Sequence, residues 1–163
     1  MYDLIPIEIA ASGMEVQRVR MGMIASNLAN AHTTRSAEGA GPYQRRILIA
    51  RATRLPAFEK MLTEANREIA GQGAETGRSR WLFEEHLRGA QVARIERDPA
   101  IRMVPDPDHP DADPETGMVA YPDISVIQEM TDSIAAARNY EANLAVVKNT
   151  REMLMQMLEM LRR

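Results

Sequence analysis

Apolar residues recur at helical spacing through roughly the first thirty residues of the chain. The residues of this stripe lie 4, 3, 4, 3, 4 and 3 positions apart: Ala10, Met14, Gln17, Met21, Ile24, Leu28 and Ala31. Alternating threes and fours mark the contact face of an amphipathic helix, here with one polar interruption at Gln17. The pattern predicts a helix from about Ile7 to Asn30. Gly13 and Gly22 would thin that helix where another helix approaches.

A second helical pattern occupies the C-terminal part of the chain, from about Ile124 to Arg163. Pro122 and Asp123 precede it and supply a start signal. Its predicted apolar seam consists of Ile127, Met130, Ile134, Ala137, Leu144, Val147, Leu154, Leu158 and Leu161. Near the end, the segment MLMQMLEML is apolar on almost every side, and a helix of that kind has to be covered on every side. One partner helix cannot cover that surface, so the pattern predicts contacts with other chains.

The middle of the chain predicts short strands and turns. Residues 39–52, GAGPYQRRILIARA, have the pattern of a turn followed by an aliphatic strand. Residues 87–106, LRGAQVARIERDPAIRMVPD, predict two short strands around a turn at Asp98-Pro99. The run at 105–117 contains four prolines, which excludes regular secondary structure there.

Composition narrows the class of protein. Aromatic residues make up only 4% of the chain and methionines number twelve, so aliphatic and methionine side chains along helix seams supply the buried surface. The formal net charge of −3 provides no basic field that would favour nucleic acid. The chain has no cysteine, and no apolar run approaches the ~20 residues that cross a bilayer. The acidic start, MYDLIPIEIA, is unlike a cleaved signal peptide, so we expect a cytoplasmic protein or one exported without such a signal.

An acidic cluster is the candidate for metal binding. Asp106, Asp108, Asp111 and Asp113 lie close together in sequence with His109 among them. Oxygen-rich loops bind calcium, but the spacing is not that of an EF-hand, whose sixth position is occupied here by Asp111 rather than glycine. We expect stiff Asp-Pro turns with solvated carboxylates, and neither a metal site nor a cofactor.

No catalytic arrangement is evident in the sequence. The three histidines lie far apart and share no ligand spacing: His32, His86 and His109. The serines have no nucleophile-elbow context, and GQGAETG lacks the Lys-Ser/Thr pair of a phosphate-binding loop. We therefore predict no catalytic residue and no enzymatic activity.

Two asparagines stand at the end of the first predicted helix. Asn27 and Asn30 lie in IASNLANAHTTR, although asparagine is a mediocre helix former because its amide competes for backbone hydrogen bonds. Either the amides cap the helix end or they bond another surface. A left-handed C-terminal cap would explain Asn30 well but Asn27 less well.

Several separated motifs resemble the bacterial flagellar axial proteins, the family of rod, hook and filament-junction subunits. The N-terminal signature stands here as SGMEVQRVRMGMIASNLANAHTTR followed by GPYQRR. Two further segments, VPDPDHPDAD and AYPDISVIQEMTDSIAAARNYEANLAVVKNTREM, resemble those of proximal rod subunits. The chain departs from the pattern at Asp108, where glycine is expected, and at His32, where asparagine is frequent. The stretch from Leu55 to Glu85, with a predicted short helix and Trp81, looks like an insertion.

The resemblance implies a structural subunit that polymerises into the helical tube of the proximal rod and transmits motor torque. It implies a mainly α fold whose terminal helices, 1–32 and 123–163, pair as an antiparallel coiled-coil-like inner domain. Residues 33–122 would form an extended, β-containing outer region that includes the insertion. Implied partners are further copies, other rod subunits, and basal-body ring and export-gate components. The implied location is the periplasmic rod, reached through the flagellar type III apparatus without a cleaved signal peptide.

The predicted assembly interface lies on the two terminal helices. Its residues are Met14, Met21, Ile24, Asn27, Leu28, Asn30, Ile134, Tyr140, Asn143, Leu144, Val147, Leu154, Leu158 and Leu161. An alternative is a free-standing helical coiled-coil adaptor that docks one partner. A third alternative is a metal-dependent hydrolase that uses the acidic cluster. The apolar C-terminal segment favours the polymer.

Overall fold

A computed structural model describes residues 5–36, 41–53 and 88–162 of the chain. In chain order the described elements are α1 (Ile5–Ala29), β1 (Arg45–Thr53), β2 (Gly89–Asp98), β3 (Ile101–Pro105), β4 (Met118–Pro122) and α2 (Val126–Leu161). The fold is therefore mainly helical with a small β-containing part. The predicted insertion, Leu55–Glu85, lies outside the described residues, as does His86.

Both predicted helices are confirmed, with ends within a few residues of the predicted ones. The start of α2 has a capping residue, because the Ser125 Oγ accepts a hydrogen bond from the Gln128 backbone N–H at 3.4 Å. Glu129 adds an acidic side chain to the first turn of α2, where the helix dipole favours negative charge.

The covered face of α2 is not its most apolar face. Ile127, Met130 and Ile134 belong to the predicted seam, yet they are exposed to 80%, 52% and 55% of their surface. The two buried residues of α2 are Glu129 and Ala136. The less exposed positions continue from them by threes and fours: Ser133, Tyr140, Asn143, Val147, Thr150 and Leu154. The covered positions thus repeat with the heptad period, but in the first turns the face that is covered within the chain lies beside the predicted seam.

On α1 the covered face also differs from the predicted stripe. Ala10 and Ile24 of that stripe are buried, as predicted, but Leu28 is 39% exposed. Val16 and Met23, which lie beside the stripe, are buried instead. Burial on α1 therefore follows a face rotated slightly from the one that the apolar spacing indicated.

The four strands form two separate two-stranded sheets, β1 with β2 and β3 with β4. The predicted strands on either side of Asp98-Pro99 are confirmed, but they pair with different neighbours rather than with each other. In the antiparallel pair of β3 and β4, Ile101 faces Pro122 and Pro105 faces Met118. Val119, the second residue of β4, is fully buried.

The proline-rich segment between β3 and β4 is irregular, as predicted. Its turns are closed by backbone hydrogen bonds, including one from Gly117 N–H to the Asp113 carbonyl at 2.8 Å. Gly117 has a φ of 65°, a conformation that favours glycine because it has no Cβ.

The described residues fall into two compact units. One contains residues 5–16, 50–53, 88–91 and 140–162; within it, the Ser12 Oγ accepts a hydrogen bond from Ala90 N–H at 3.0 Å. The other contains residues 17–36, 41–49 and 92–139 and has a buried hydrophobic cluster of Ala31, Tyr43 and Ile124. The polar site described next lies entirely within this second unit.

Candidate functional site

The Asn27 side chain is the centre of a buried polar network. It is only 1% exposed, although it carries two donor hydrogens and an acceptor oxygen. Its Nδ2 donates to the Arg46 carbonyl at 2.9 Å and to Glu129 Oε2 at 3.2 Å. Its Oδ1 accepts from Arg46 N–H at 2.9 Å and from the Tyr43 hydroxyl at 3.1 Å. The amide is therefore fully hydrogen-bonded without water.

The bonds to Arg46 imitate those of a neighbouring β-strand. A strand offers its partner a carbonyl and an N–H together, and the Asn27 amide offers the same two groups to Arg46. The last turns of α1 thereby hold the first residues of β1 in place.

The second buried polar residue is Glu129, which is 2% exposed. Its Oε1 accepts a hydrogen bond from Arg45 Nε at 2.7 Å and forms an ion pair with Arg45 Nη2, also at 2.7 Å. Its Oε2 accepts the bond from Asn27. A buried carboxylate is tolerated only where charge and hydrogen bonds compensate its lost hydration, and these contacts provide both.

Tyr43 joins the polar network to the apolar cluster. Its ring packs with Ala31 and Ile124, and the Arg46 guanidinium lies 5.8 Å from the ring centroid. The Tyr43 hydroxyl donates its one proton to Asn27 Oδ1. In the hydrogen bond between Tyr43 and Ser26, whose oxygens lie 3.2 Å apart, the Ser26 hydroxyl is therefore the donor.

Asn30 is bonded differently from Asn27. Its Nδ2 donates to the Ser26 carbonyl at 2.8 Å, and its Oδ1 accepts from the Thr33 hydroxyl at 3.2 Å. No described residue other than glycine has a positive φ, so the alternative of a left-handed cap at Asn30 is excluded. The side chain instead satisfies a carbonyl of the last turn directly. Asn30 caps the helix, whereas Asn27 links α1 to β1 and α2.

Helix α1 approaches α2 closely at Gly13. A Cβ built on Gly13 would lie 2.8 Å from Asn143 Nδ2 and 3.2 Å from its Cγ. The expected thinning of α1 for a nearby helix is therefore confirmed at Gly13. At Gly22 the same Cβ would meet nothing within 4 Å, so no close approach is seen there within the chain.

The predicted interface residues differ in accessibility. Ile24 and Asn27 are buried within the chain. The half-buried ones are Met14, Met21, Asn30, Tyr140, Asn143, Leu144, Val147 and Leu154. Leu28, Ile134, Leu158 and Leu161 are exposed. Their part in contacts between chains stays a prediction, although Asn27 offers no free polar group to a neighbour.

The acidic loop makes contacts of its own. Asp111 accepts a hydrogen bond from the Thr34 hydroxyl at 2.8 Å and pairs with Arg35 at 2.7 Å. Its backbone N–H donates to His109 Nδ1 at 3.1 Å. In the part of the chain that the structure describes, no three acidic or histidine side chains converge as a metal site would require.

Asp113 stabilises the end of the same loop. Its Oδ1 accepts from Glu115 N–H at 3.1 Å, and its Oδ2 accepts from the Thr116 hydroxyl at 2.8 Å. These bonds, the backbone one first, favour the charged form and lower the pKa of the Asp113 carboxyl below its usual value.

Sequence reasoning missed the partners of Asn27. It did not single out Arg45, Arg46 or Glu129. One signal was available: Glu129, Ala136 and Asn143 recur at seven-residue spacing, which is the period of a contact seam.

Neither α1 nor α2 is long and apolar enough to cross a membrane. The comparisons with known proteins match both helices to flagellar components. A family model described as "Flagella basal body rod protein" matches residues 7–35, and one described as "Flagellar basal body rod FlgEFG protein C-terminal" matches residues 115–160. These matches include Asn27 on α1 and Glu129 on α2.

Full-length relatives decide the family. The flagellar basal-body rod protein FlgC of Bacillus subtilis is 34% identical over 157 residues, with 94% of each chain covered. The chain belongs to the FlgC family of flagellar basal-body rod proteins. The FlgC proteins of Borreliella burgdorferi and Aquifex aeolicus are 32% and 34% identical; the alignments cover 95% and 90% of this chain and 95% and 87% of theirs. The chain is thus a structural protein of the flagellar basal body and not an enzyme, and the adaptor alternative is not favoured.

Proposed function

We propose that the chain polymerises with further copies and with other rod subunits into the helical tube of the proximal rod, which transmits motor torque. The observation that supports this proposal is the exposed apolar surface of α2. Near its end the exposed fractions are 55% at Met153, 60% at Leu158, 71% at Met160 and 83% at Leu161. Contiguous apolar surface of this kind marks a site of protein contact.

A second bare surface lies near the start of α2. Ile127, Met130 and Ile134 follow one another by three and four residues, and all are exposed. Because α2 carries apolar surface near both ends, each subunit has more than one place at which a neighbour can bind. Contacts between unlike surfaces propagate into open helical polymers when their rotation does not close a ring, whereas contacts between like surfaces close into dimers.

The proposed tube has an inner domain in which α1 and α2 pair as an antiparallel coiled coil. Two contacts support this pairing: Gly13 approaches Asn143, and Asn27 bonds Glu129. Asn27 lies fourteen residues after Gly13, and Glu129 lies fourteen residues before Asn143. The partners therefore run in opposite directions, and the step on each helix is two heptads.

This register pairs one seam of α1 with one seam of α2. The facing pairs would be Ile9 with Val147, Gly13 with Asn143, Val16 with Tyr140, Arg20 with Ala136, Met23 with Ser133, and Asn27 with Glu129. Burial supports the pairing, since Val16, Met23 and Asn27 on α1 and Glu129 and Ala136 on α2 are buried.

The remaining assignments follow the same proposal. Residues 1–32 and 123–163 would form the inner domain, and 33–122 the outer region with the insertion at 55–85. The neighbours would include ring and export-gate components as well as rod subunits. The chain would reach the periplasmic rod through the flagellar type III apparatus without a cleaved signal peptide.

The test adds the same charge at two neighbouring positions near the end of α2. Leu158→Asp places a carboxylate on the bare apolar surface, where it cannot be hydrated once a neighbour covers it. Gln156→Asp places the same charge on a side chain that is already polar and exposed. We expect Leu158→Asp to abolish polymers in sedimentation and electron microscopy, and Gln156→Asp to retain them. Equal assembly by the two variants would refute this use of α2.

A further inference from the structure

The proposed helix pair contains a polar layer at one end of its seam. Glu129, Asn27 and Arg45 meet there, with Glu129 and Asn27 almost completely buried. A seam that repeats every seven residues can in principle pair again after a slip of one heptad, because the same pattern returns. A polar group that is satisfied in only one alignment removes that ambiguity.

We propose that Glu129, Asn27 and Arg45 set the register of α1 against α2. The inference rests on the antiparallel pairing proposed above and adds the residues that select its alignment. Glu129 accepts a hydrogen bond from Arg45 Nε and one from Asn27, forms an ion pair with Arg45 Nη2, and is 2% exposed. All three contacts exist only when the start of α2 lies against the end of α1.

The donors of this layer move together. The Asn27 amide holds Arg46 by two backbone hydrogen bonds, so Arg45, the preceding residue, is carried with α1. Glu129 belongs to α2. A slip between the helices therefore separates Glu129 from Asn27 and Arg45 in one step. The carboxylate would lose the contacts with Arg45 and Asn27 while its surroundings remained largely closed to water, which disfavours the slipped state.

The two possible slips of one heptad differ in their consequences. In one, Glu129 would face Arg20, and Asn27 would lie beyond the first residue of α2, Val126, with no α2 residue opposite it. In the other, Asn27 would face Ala136, and Glu129 would lie beyond the last residue of α1, Ala29, with no α1 residue opposite it. The first slip gives Glu129 a new cation, so it is the alternative that the layer has to exclude.

The register matters for assembly. A slip of one heptad moves each surface residue of α1 by about 10 Å relative to α2, since a helix rises 1.5 Å per residue. A neighbouring subunit that contacts both helices would then find its contacts displaced. The polar layer thus gives every subunit of the polymer the same surface.

Engineered cysteine pairs can report the register, because the chain has no cysteine of its own. Ile9→Cys with Val147→Cys reports the proposed alignment, and Ile9→Cys with Tyr140→Cys reports the slip that brings Glu129 to Arg20. All three positions are half-buried in the described structure. Each pair is placed in the parent chain and in a variant that carries Arg45→Met and Glu129→Met. The variant removes both charges together and leaves Asn27 bonded to Arg46.

We expect the parent chain to form the disulfide in the first pair and not in the second. In the double-methionine variant, disulfide formation by the second pair should rise at least about tenfold relative to the first. Unchanged preference for the first pair in that variant would overturn the proposal. No disulfide from the first pair in the parent would overturn both this proposal and the coiled-coil pairing, while the tests on Leu158 would still stand.

A charge-reversal series keeps the proposal testable if the methionine variant does not fold. Glu129→Arg alone places like charges together, so the first cysteine pair should no longer form its disulfide. Adding Arg45→Glu restores an opposite pair and should restore the disulfide. Failure of the second change to rescue the first, with helical content of both variants matched by circular dichroism, would contradict a register-setting role.

Discussion

The Asn27 side chain bonds both backbone groups of Arg46, donating to the carbonyl and accepting from the N–H, each at 2.9 Å. The asparagine is on α1 and the arginine is near the start of β1, so one side chain joins a helix to a strand. The hydrogen bonds of Asn27 therefore stabilise the fold of its own chain and do not bind a neighbour.

Replacing Asn27 should be much more costly than replacing Asn30. Asn27→Ala removes the two hydrogen bonds to the Arg46 backbone and those to Tyr43 and Glu129, and each such bond contributes about 0.5–1.5 kcal/mol. We expect the free energy of unfolding to fall by about 3 kcal/mol in urea titrations. Asn30→Ala is the matched control, because it removes only bonds local to the helix end, and it should cost about 1 kcal/mol. Similar losses from the two substitutions would argue against the central position of Asn27.

The two glycines of α1 should respond oppositely to alanine. Gly22→Ala adds a Cβ that meets nothing within 4 Å, so the better helix propensity should stabilise the chain by up to about 1 kcal/mol. Gly13→Ala places its Cβ 2.8 Å from Asn143 Nδ2, so Asn143 has to move and part or all of that gain is lost. Thermal unfolding should rank Gly22→Ala above Gly13→Ala. Adding Asn143→Ala to Gly13→Ala should recover part of the difference in thermal stability between the two variants. A Gly13→Ala chain that is as stable as the Gly22→Ala chain would exclude the clash with Asn143.

Replacing Gln17 by an apolar residue is expected to stabilise the chain. Its Oε1 is buried and has no hydrogen-bond partner among the described residues. Gln17→Met retains the length of the side chain and removes the unpaired acceptor, which should raise the free energy of unfolding by about 1 kcal/mol. Gln17→Glu is the control, since it adds charge to the same unpaired oxygen and should lower stability. A loss of stability in Gln17→Met would show that the acceptor is satisfied in solution.

Asp113 should contribute to stability in a pH-dependent manner. Because hydrogen bonds in the folded chain lower its pKa, the charged form is favoured over that in the unfolded chain. The contribution is therefore present above the usual aspartate pKa of 3.8 and is lost as pH falls through the lower, folded-state pKa. A carboxyl titration by NMR should find the Asp113 pKa below 3.8. Thr116→Val removes one of the two causes and should raise that pKa toward its usual value; no change would exclude the bond from Thr116.

The sequence alone determined the elements that depend on local pattern. Helices were predicted at 7–30 and 124–163 and are found at Ile5–Ala29 and Val126–Leu161. The strands at Arg45–Thr53 and on both sides of Asp98-Pro99 also agree. These elements follow from residue spacing and from proline and glycine positions within a few residues, which a sequence displays directly. The motifs that resemble flagellar axial proteins likewise identified the family before any contact was known.

The tertiary structure alone decided what each helix covers. Asn27 and Glu129 are separated by 102 residues, and Arg45 and Glu129 by 84. No local sequence pattern therefore predicts the hydrogen bonds between them. At Gly13 the contact places the Asn143 amide where a Cβ would lie, so a larger residue at position 13 would require Asn143 to move. Ile127, Met130 and Ile134 remain exposed on the isolated chain. An apolar stripe indicates that a helix face is to be covered, but it does not indicate whether its own chain or a neighbour covers it, because the hydrophobic effect depends on area and not on direction.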